Sequence, residues 1–233
     1  MVYRNILSAF FLSRPNRFVA LTELDGSEVA AHVKNTGRCA ELLIPGVEVF
    51  LEDFSGRQGK RKLLYDLVTV RKADRLVNMD SQAPCRVVHE ALADGTILLP
   101  KQGKPVYIRP EYTYGDSRFD FLVRFEDGSE GLIEVKGVTL EEDGTALFPD
   151  APTERGVKHL NGLIRAKEAG YYTCVLFVVQ MAGVRCFSPN DKRHAAFGEA
   201  LRRAAASGVD VLAYECNVTP DSLRISKKVE VVL

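Results

Sequence analysis

The sequence predicts an α/β protein in two parts, a small β-barrel followed by a mixed sheet flanked by helices. Three observations predict it. Residues 18–70 hold short apolar runs separated by turn signals, with no long helix among them. After a first helix at 84–93, the remainder alternates in the order β-β-α-β-β-α-β. At 233 residues and 46% hydrophobic, the chain has ample material for a packed core. Residues 72–83 are polar and read as a connection, which puts a boundary near Asp80 and divides the chain into 1–80 and 81–233.

In the first part, residues 18–24 alternate, Asp25-Gly26 is a hairpin turn signal, and residues 29–33 return. Pro45-Gly46 precedes a strand at 47–51, and residues 63–70 supply another. Strands at this spacing suggest an OB-like barrel. Two basic segments interrupt it. Residues 57–62 form one, and the turn Lys34, Asn35, Thr36, Gly37, Arg38 forms the other, with Arg14 and Arg17 upstream. Asn, Thr and Gly between two cations offer donors to a phosphate.

In the second part, Pro84 opens a helix that ends before Gly95 and carries His89 and Glu90 away from its apolar face. Residues 118–125 and 131–138 then read as a hairpin around Glu126, Asp127, Gly128 and Ser129. Side chains at i and i+2 share a strand face, so Glu134 and Lys136 project together. A three-residue loop, Asp127-Gly128-Ser129, pairs Asp120 with Lys136 and brings all three polar groups to one face. Two hard carboxylates side by side call for a cation, and oxygen ligands suit Mg²⁺ or Mn²⁺. A lysine beside them can orient water or offset developing charge, the apparatus of phosphodiester hydrolysis. Glu90 and Glu111 are further candidates for the metal shell.

Residues 139–151 read as a polar loop bordering the site. Residues 153–169 follow as a helix with Thr153 as N-cap, and Arg155, Lys158 and His159 lie in its first turns, where a phosphate or acidic group can be met. Residues 172–180 are nearly all apolar, a central strand covered on both faces. A short strand at 184–187, a helix at 195–206 and a core strand at 209–214 complete the pattern.

Lys plus Arg equals Asp plus Glu at 31 each, so basic surface must be local rather than global. The longest apolar runs fall far short of the roughly 20 residues that span a bilayer, and residues 1–11 lack a signal-peptide pattern, which predicts a cytoplasmic protein. Five scattered cysteines without C-x-x-C spacing read as buried reduced thiols. The absence of P-loop, G-x-G-x-x-G and G-x-S-x-G patterns removes the enzyme classes that depend on them.

Several longer motifs go beyond these local patterns. They are N-R-F at 16–18, A-H-V-K-N-T-G-R at 31–38, P-G at 45–46, Y-G-D-S-R-F-D-F at 114–121, I-E-V-K at 133–136 and F-P-D-A-P-T-E-R-G-V-K-H-L at 148–160. V-L-F-V-V-Q at 175–180 and G-V-D-V-L-A-Y at 208–214 complete the set. In these motifs the chain resembles the sugar fermentation stimulation protein A family along nearly its whole length. The resemblance implies an OB-like barrel followed by a PD-(D/E)XK nuclease-like domain, with Asp120 and Glu134 as acidic metal ligands and Lys136 as the lysine. Phe119 stands where that signature has proline. It also implies DNA as partner, either as substrate of a divalent-metal-dependent nuclease or as target of a non-catalytic regulator of sugar-utilisation genes. Strandedness stays open, and RNA is a second candidate. Arg17, Lys34, Asn35, Arg38, Arg155 and Lys158 are the candidate backbone contacts.

Overall fold

The computed structural model describes residues 1–35, 37–56 and 61–233. The chain forms two compact units. The first comprises Met1–Ala83 with two returning segments, Gln180–Ala182 and Cys216–Arg224; the second comprises Pro84–Val179, Gly183–Glu215 and Ile225–Leu233.

The first unit contains β1 (Ile6–Asn16), β2 (Val19–Leu24), β3 (Ser27–Val33), β4 (Glu48–Asp53), β5 (Tyr65–Lys72) and β6 (Arg75–Asn78). Their order is β3-β2-β1-β4-β5-β6, and an additional β3–β5 pairing closes five strands into an OB-like barrel. That closing pair is parallel, Ala31 to Tyr65 through Val33 to Leu67, whereas the other barrel pairs are antiparallel. Asp25 and Gly26 both take positive φ, 50° and 77°, and link Leu24 to Ser27 in a two-residue primed turn. The polar connection expected at 72–83 instead contains β6.

Closure buries carboxylates, Asp66 and Asp80 most deeply. Asp66 is 1% exposed and Asp80 is 2% exposed. Lys34 Nζ lies 3.0 Å from Asp66 and 3.4 Å from Asp80, and Arg61 also pairs with Asp66. The returning segments complete this unit. Gln180 Nε2 donates to Asn78 O and Oδ1, each at 3.0 Å, and to Asp80 O at 3.1 Å. Tyr3 N–H donates to Asp221 O at 2.7 Å.

The second unit begins with α1 (Ala83–Asp94), β7 (Tyr107–Tyr114), β8 (Ser117–Arg124) and β9 (Glu130–Val138). It continues through β10 (Leu140–Glu142), β11 (Thr145–Phe148), α2 (Glu154–Glu168), β12 (Tyr172–Val179), β13 (Cys186–Pro189), α3 (Asp191–Ala206), β14 (Asp210–Thr219) and β15 (Ser222–Val231). The strand order is β10-β11-β13-β15-β14-β12-β9-β8-β7. β12 runs parallel to β9 and β14, while β7, β8 and β9 form an antiparallel meander, so the sheet is mixed as predicted. Every residue of β12 is buried, as its continuous apolar run requires.

The supposed loop at 139–151 holds the hairpin β10–β11, turned by Asp143 and Gly144 at φ 47° and 79°. Thr153 caps α2 through a bond from Gly156 N–H to Oγ1 at 3.0 Å. Helix α3 starts four residues earlier than predicted and breaks at His194, φ −158°. The imidazole accepts from Thr153 N–H at 3.3 Å and lies 3.2 Å from Glu154. Among the described residues, no helix is long and apolar enough to cross a membrane.

The β8–β9 hairpin has an odd-length loop, but not the predicted one. Phe125 N–H donates to Ser129 O at 2.9 Å and Gly128 N–H to Phe125 O at 3.0 Å, so the loop is Glu126-Asp127-Gly128 and Arg124 pairs with Glu130. A three-residue loop ends on a left-handed residue. Gly128 has φ 82°, and a loop one residue later would force Ser129 into that role. Space around a Gly128 Cβ is open. Gly128→Ala is therefore expected to lower stability by about 1 kcal/mol through backbone conformation alone, read as a lower urea midpoint at unchanged m-value, with Gly128→Asn losing less.

Candidate metal centre and nucleic-acid interface

The β8–β9 ladder extends from Arg124 and Glu130 to Phe121 and Ile133. One residue further on, the Asp120 side chain takes the next backbone donor, with Oδ2 accepting from Val135 N–H at 2.7 Å. The predicted Asp120–Lys136 pairing is thus corrected to Asp120 beside Glu134 and Val135. Glu134 is 3% exposed. Its Oε1 receives Lys136 Nζ at 2.5 Å and His159 Nδ1 at 2.5 Å, while its Oε2 is buried with no hydrogen-bond partner.

His159 reaches this point because α2 lies close against β8. A Cβ on Gly162 would stand 3.0 Å from Phe119 Cζ and 3.2 Å from Ser117 Oγ, so glycine permits the approach. The imidazole packs edge-on against Phe119 at 5.9 Å. From the other helix, Cys85 Sγ donates to Asp120 Oδ1 at 3.5 Å.

These partners push the two carboxylates apart in acidity. Burial, then the charge of Glu134, raises Asp120 above the usual carboxylate range despite the Val135 N–H. Burial also acts upward on Glu134, but the His159 hydrogen bond and the Lys136 charge outweigh it and hold Glu134 below its ordinary value. The Cys85 thiol is pushed up to about 12 by burial and by the Asp120 carboxylate, so it remains a thiol at neutral pH.

A hard divalent cation fits this donor set. The half-buried Asp120 adjoins the buried Glu134, and one buried Glu134 oxygen lacks any partner, which is costly unless something arrives to use it. Glu90 and Glu111 are not assembled with them. Among the described residues, no group of three His, Cys, Asp or Glu side chains forms a ready metal cluster. Glu90 is exposed on α1, and Glu111 is exposed on β7 with φ 53°, 3.6 Å from Arg118.

The six candidate phosphate contacts take different roles. Arg14, rather than any of them, organises the barrel turns: its Nη1 donates to Gly37 O at 2.9 Å and Arg38 O at 2.5 Å, and its Nη2 to Arg17 O at 2.6 Å and Asn35 O at 2.8 Å. Asn35 Oδ1 is occupied by Gly37 N–H at 2.8 Å, shaping the turn. Lys34 is committed to the buried carboxylates Asp66 and Asp80. Arg17 and Arg38 are exposed, have no side-chain ion pair among the described residues, and line a groove of about 580 Å³ with Arg14, Leu12 and Leu43.

In the second unit, Arg155 Nε donates to His159 Nε2 at 3.3 Å, and Lys158 Nζ lies 3.6 Å from the exposed Asp116, which Arg165 also contacts at 2.7 Å. Thr36 and residues 57–60, parts of the two predicted basic segments, lie outside the described residues. Arg61, from the second segment, pairs with Asp66 and stacks over Phe54 at 3.9 Å. Sequence reasoning set His159 in a turn able to meet an acidic group without naming which; the group is Glu134. Cys85 carried no sequence signal of its contact with Asp120.

Residues 12–79 match the family model "SfsA N-terminal OB domain", and residues 82–222 match "Sugar fermentation stimulation protein RE domain". The chain is 52% identical to a sugar fermentation stimulation protein homolog of Desulfitobacterium hafniense (strain DSM 10664 / DCB-2), covering 100% of this chain and 99% of the relative. A homolog from Clostridium beijerinckii is 49% identical, with both chains covered fully. The fold superposes on Pyrococcus furiosus SfsA, solved in complex with Ca²⁺, with a TM-score of 0.87 at 24% identity, covering 100% of this chain and 98% of that one. With both family models matched in chain order around the barrel and the Asp120–Glu134 pair, the chain belongs to the sugar fermentation stimulation protein family.

Proposed function

We propose that the protein is a DNA-binding, divalent-metal-dependent nuclease. The observation that carries this reading is the buried, unpartnered Oε2 of Glu134, on a carboxylate that adjoins Asp120. Asp120 and Glu134 would hold Mg²⁺ or Mn²⁺, and the Ca²⁺ of the Pyrococcus relative supports a divalent ion at this fold. Such an ion, when bound, would polarise the phosphodiester and lower the pKa of an attacking water.

The chain's own groups supply the rest. Lys136, 15% exposed and extended from the same strand as Glu134, can turn from Oε1 toward a phosphate oxygen and offset charge that develops there. The Val135 N–H and the Cys85 thiol fix Asp120, so its geometry is set before substrate arrives. We assign the barrel, residues 1–80, to gripping the DNA backbone through Arg17 and Arg38, and residues 81–233 to the chemistry, with Lys158 as a further phosphate contact.

One observation favours a second reading, a DNA-binding regulator of sugar-utilisation genes that does not cleave. Lys136 is held on Glu134 Oε1, and no third ligand is assembled among the described residues. Cleavage of labelled single-stranded DNA, duplex DNA and RNA with Mg²⁺, Mn²⁺ or EDTA separates the two. The nuclease reading expects metal-dependent cleavage that falls at least about 100-fold in Asp120→Asn and Lys136→Ala. Absence of cleavage with every ion, with DNA still bound in EDTA, would overturn the nuclease and favour the regulator.

Metal binding should also appear without turnover. At an Mn²⁺ concentration 100 times its dissociation constant, folding gains about 2.7 kcal/mol, read as a raised thermal midpoint that Asp120→Asn loses. The cationic residues divide similarly by experiment. Arg38→Ala is expected to weaken DNA binding and flatten the plot of log affinity against log salt by about one unit. Lys34→Ala is expected to leave that slope unchanged while lowering stability by about 3 kcal/mol, because buried Asp80 loses the Lys34 ammonium and Asp66 is left with Arg61.

A further inference from the structure

The two oxygens of Glu134 have opposite surroundings. Oε1 is saturated by Lys136 Nζ and His159 Nδ1, each at 2.5 Å, and Oε2 is buried and bare. The two donors differ in kind. Lys136 is a flexible cation on the same strand, whereas His159 is 4% exposed, comes from α2, and is braced by the edge of Phe119 at 5.9 Å. Its second nitrogen is also occupied, since Arg155 Nε donates to Nε2 at 3.3 Å. A guanidinium only donates, so Nε2 is the acceptor, the ring hydrogen sits on Nδ1, and His159 donates to Glu134.

We propose that His159, with its tautomer held by Arg155, is a positioning residue that restricts Glu134 to one ligating oxygen, Oε2, and thereby tilts the cleft toward Mg²⁺ and Mn²⁺ over Ca²⁺. The inference rests on the metal reading above and concerns how the ion is chosen. Mg²⁺ accepts an octahedral shell of single oxygens with several waters retained, while Ca²⁺ takes more oxygens and often both from one carboxylate. A two-oxygen grip by Glu134 would require at least one of the two donors to leave Oε1, because together they fill its lone pairs. A one-oxygen grip disturbs neither. Arg155 acts one bond further out, by occupying the nitrogen that would otherwise compete for the hydrogen.

Calorimetric titration of the full-length, metal-free protein with MgCl₂, MnCl₂ or CaCl₂ tests this without substrate. In wild type, Mn²⁺ is expected to bind more tightly than Ca²⁺. His159→Ala frees one acceptor site on Oε1, with Lys136 remaining on the other, and should shrink the Mn²⁺:Ca²⁺ affinity ratio about tenfold. His159→Asn carries its amide donor near the position of Nδ1 and should keep the ratio, whereas His159→Gln, with its donor nearer Nε2, should not. Arg155 is exposed, so Arg155→Ala should fold normally and shrink the ratio more modestly. An unchanged ratio in Arg155→Ala, His159→Gln and His159→Ala, with wild type still binding metal, overturns the positioning role and leaves the metal centre standing. Absence of binding of all three ions by wild type overturns both.

Discussion

Burial of like charge is the constraint on which the second unit depends. Asp120 and Glu134 adjoin in an environment that penalises ionisation of either, and each neighbour offsets part of that penalty. The compensation is unequal. Asp120 receives a backbone amide and a thiol, neither of which carries charge, and its acidity weakens. Glu134 receives an ammonium and an imidazole N–H, and its acidity strengthens. The partners come from three elements, α1, β9 and α2. Helix α1 brings Cys85 to Asp120, and α2 must approach β8 closely enough for His159 to reach past Phe119. Gly162 at the point of closest approach is the local sign of that requirement.

The features legible in the sequence were those whose physical cause is local. Asp25-Gly26 carries its turn chemistry in two residues, Thr153 its cap in four, and β12 its burial in an unbroken apolar run. Glu134 and Lys136 meet because i and i+2 share a strand face, which no tertiary detail can undo. Features with distant causes were hidden. β1 carries register shifts between Phe11 and Ser13 and between Ser13 and Asn16, which break the alternation that marks a strand. β6 has four residues and too little pattern to detect. Parity of the β8–β9 hairpin was readable, but its register depended on which residue tolerates positive φ, and that choice moved Asp120 from Lys136 to Glu134. Lys34 looked like a phosphate contact because Asp66 and Asp80, up to 46 residues away in sequence, gave no local sign of lying beneath it.

The barrel turns show how one arginine can prepare two others. Arg14 commits Nη1 and Nη2 to four carbonyls from the segments that carry Arg17 and Arg38, so the backbone beneath those side chains is fastened before any ligand arrives. Ordering such turns on binding would otherwise subtract from affinity. Lysine at position 14 could not replace it, since an ammonium has three donors and no planar fork.

Gln180 and the 216–224 segment belong to the first unit although the chain has by then passed through most of the second. Gln180 alone supplies three hydrogen bonds to Asn78 and Asp80. Domains usually fold in order as they leave the ribosome. Here the barrel's strands are all synthesised by Asn78, yet the Asn78 N–H waits for the Gln180 carbonyl, its acceptor at 2.9 Å, until about 100 more residues have followed. During synthesis the N-terminal unit is thus a nascent barrel with a buried donor unsatisfied, and its completion waits for the segments Gln180–Ala182 and Cys216–Arg224.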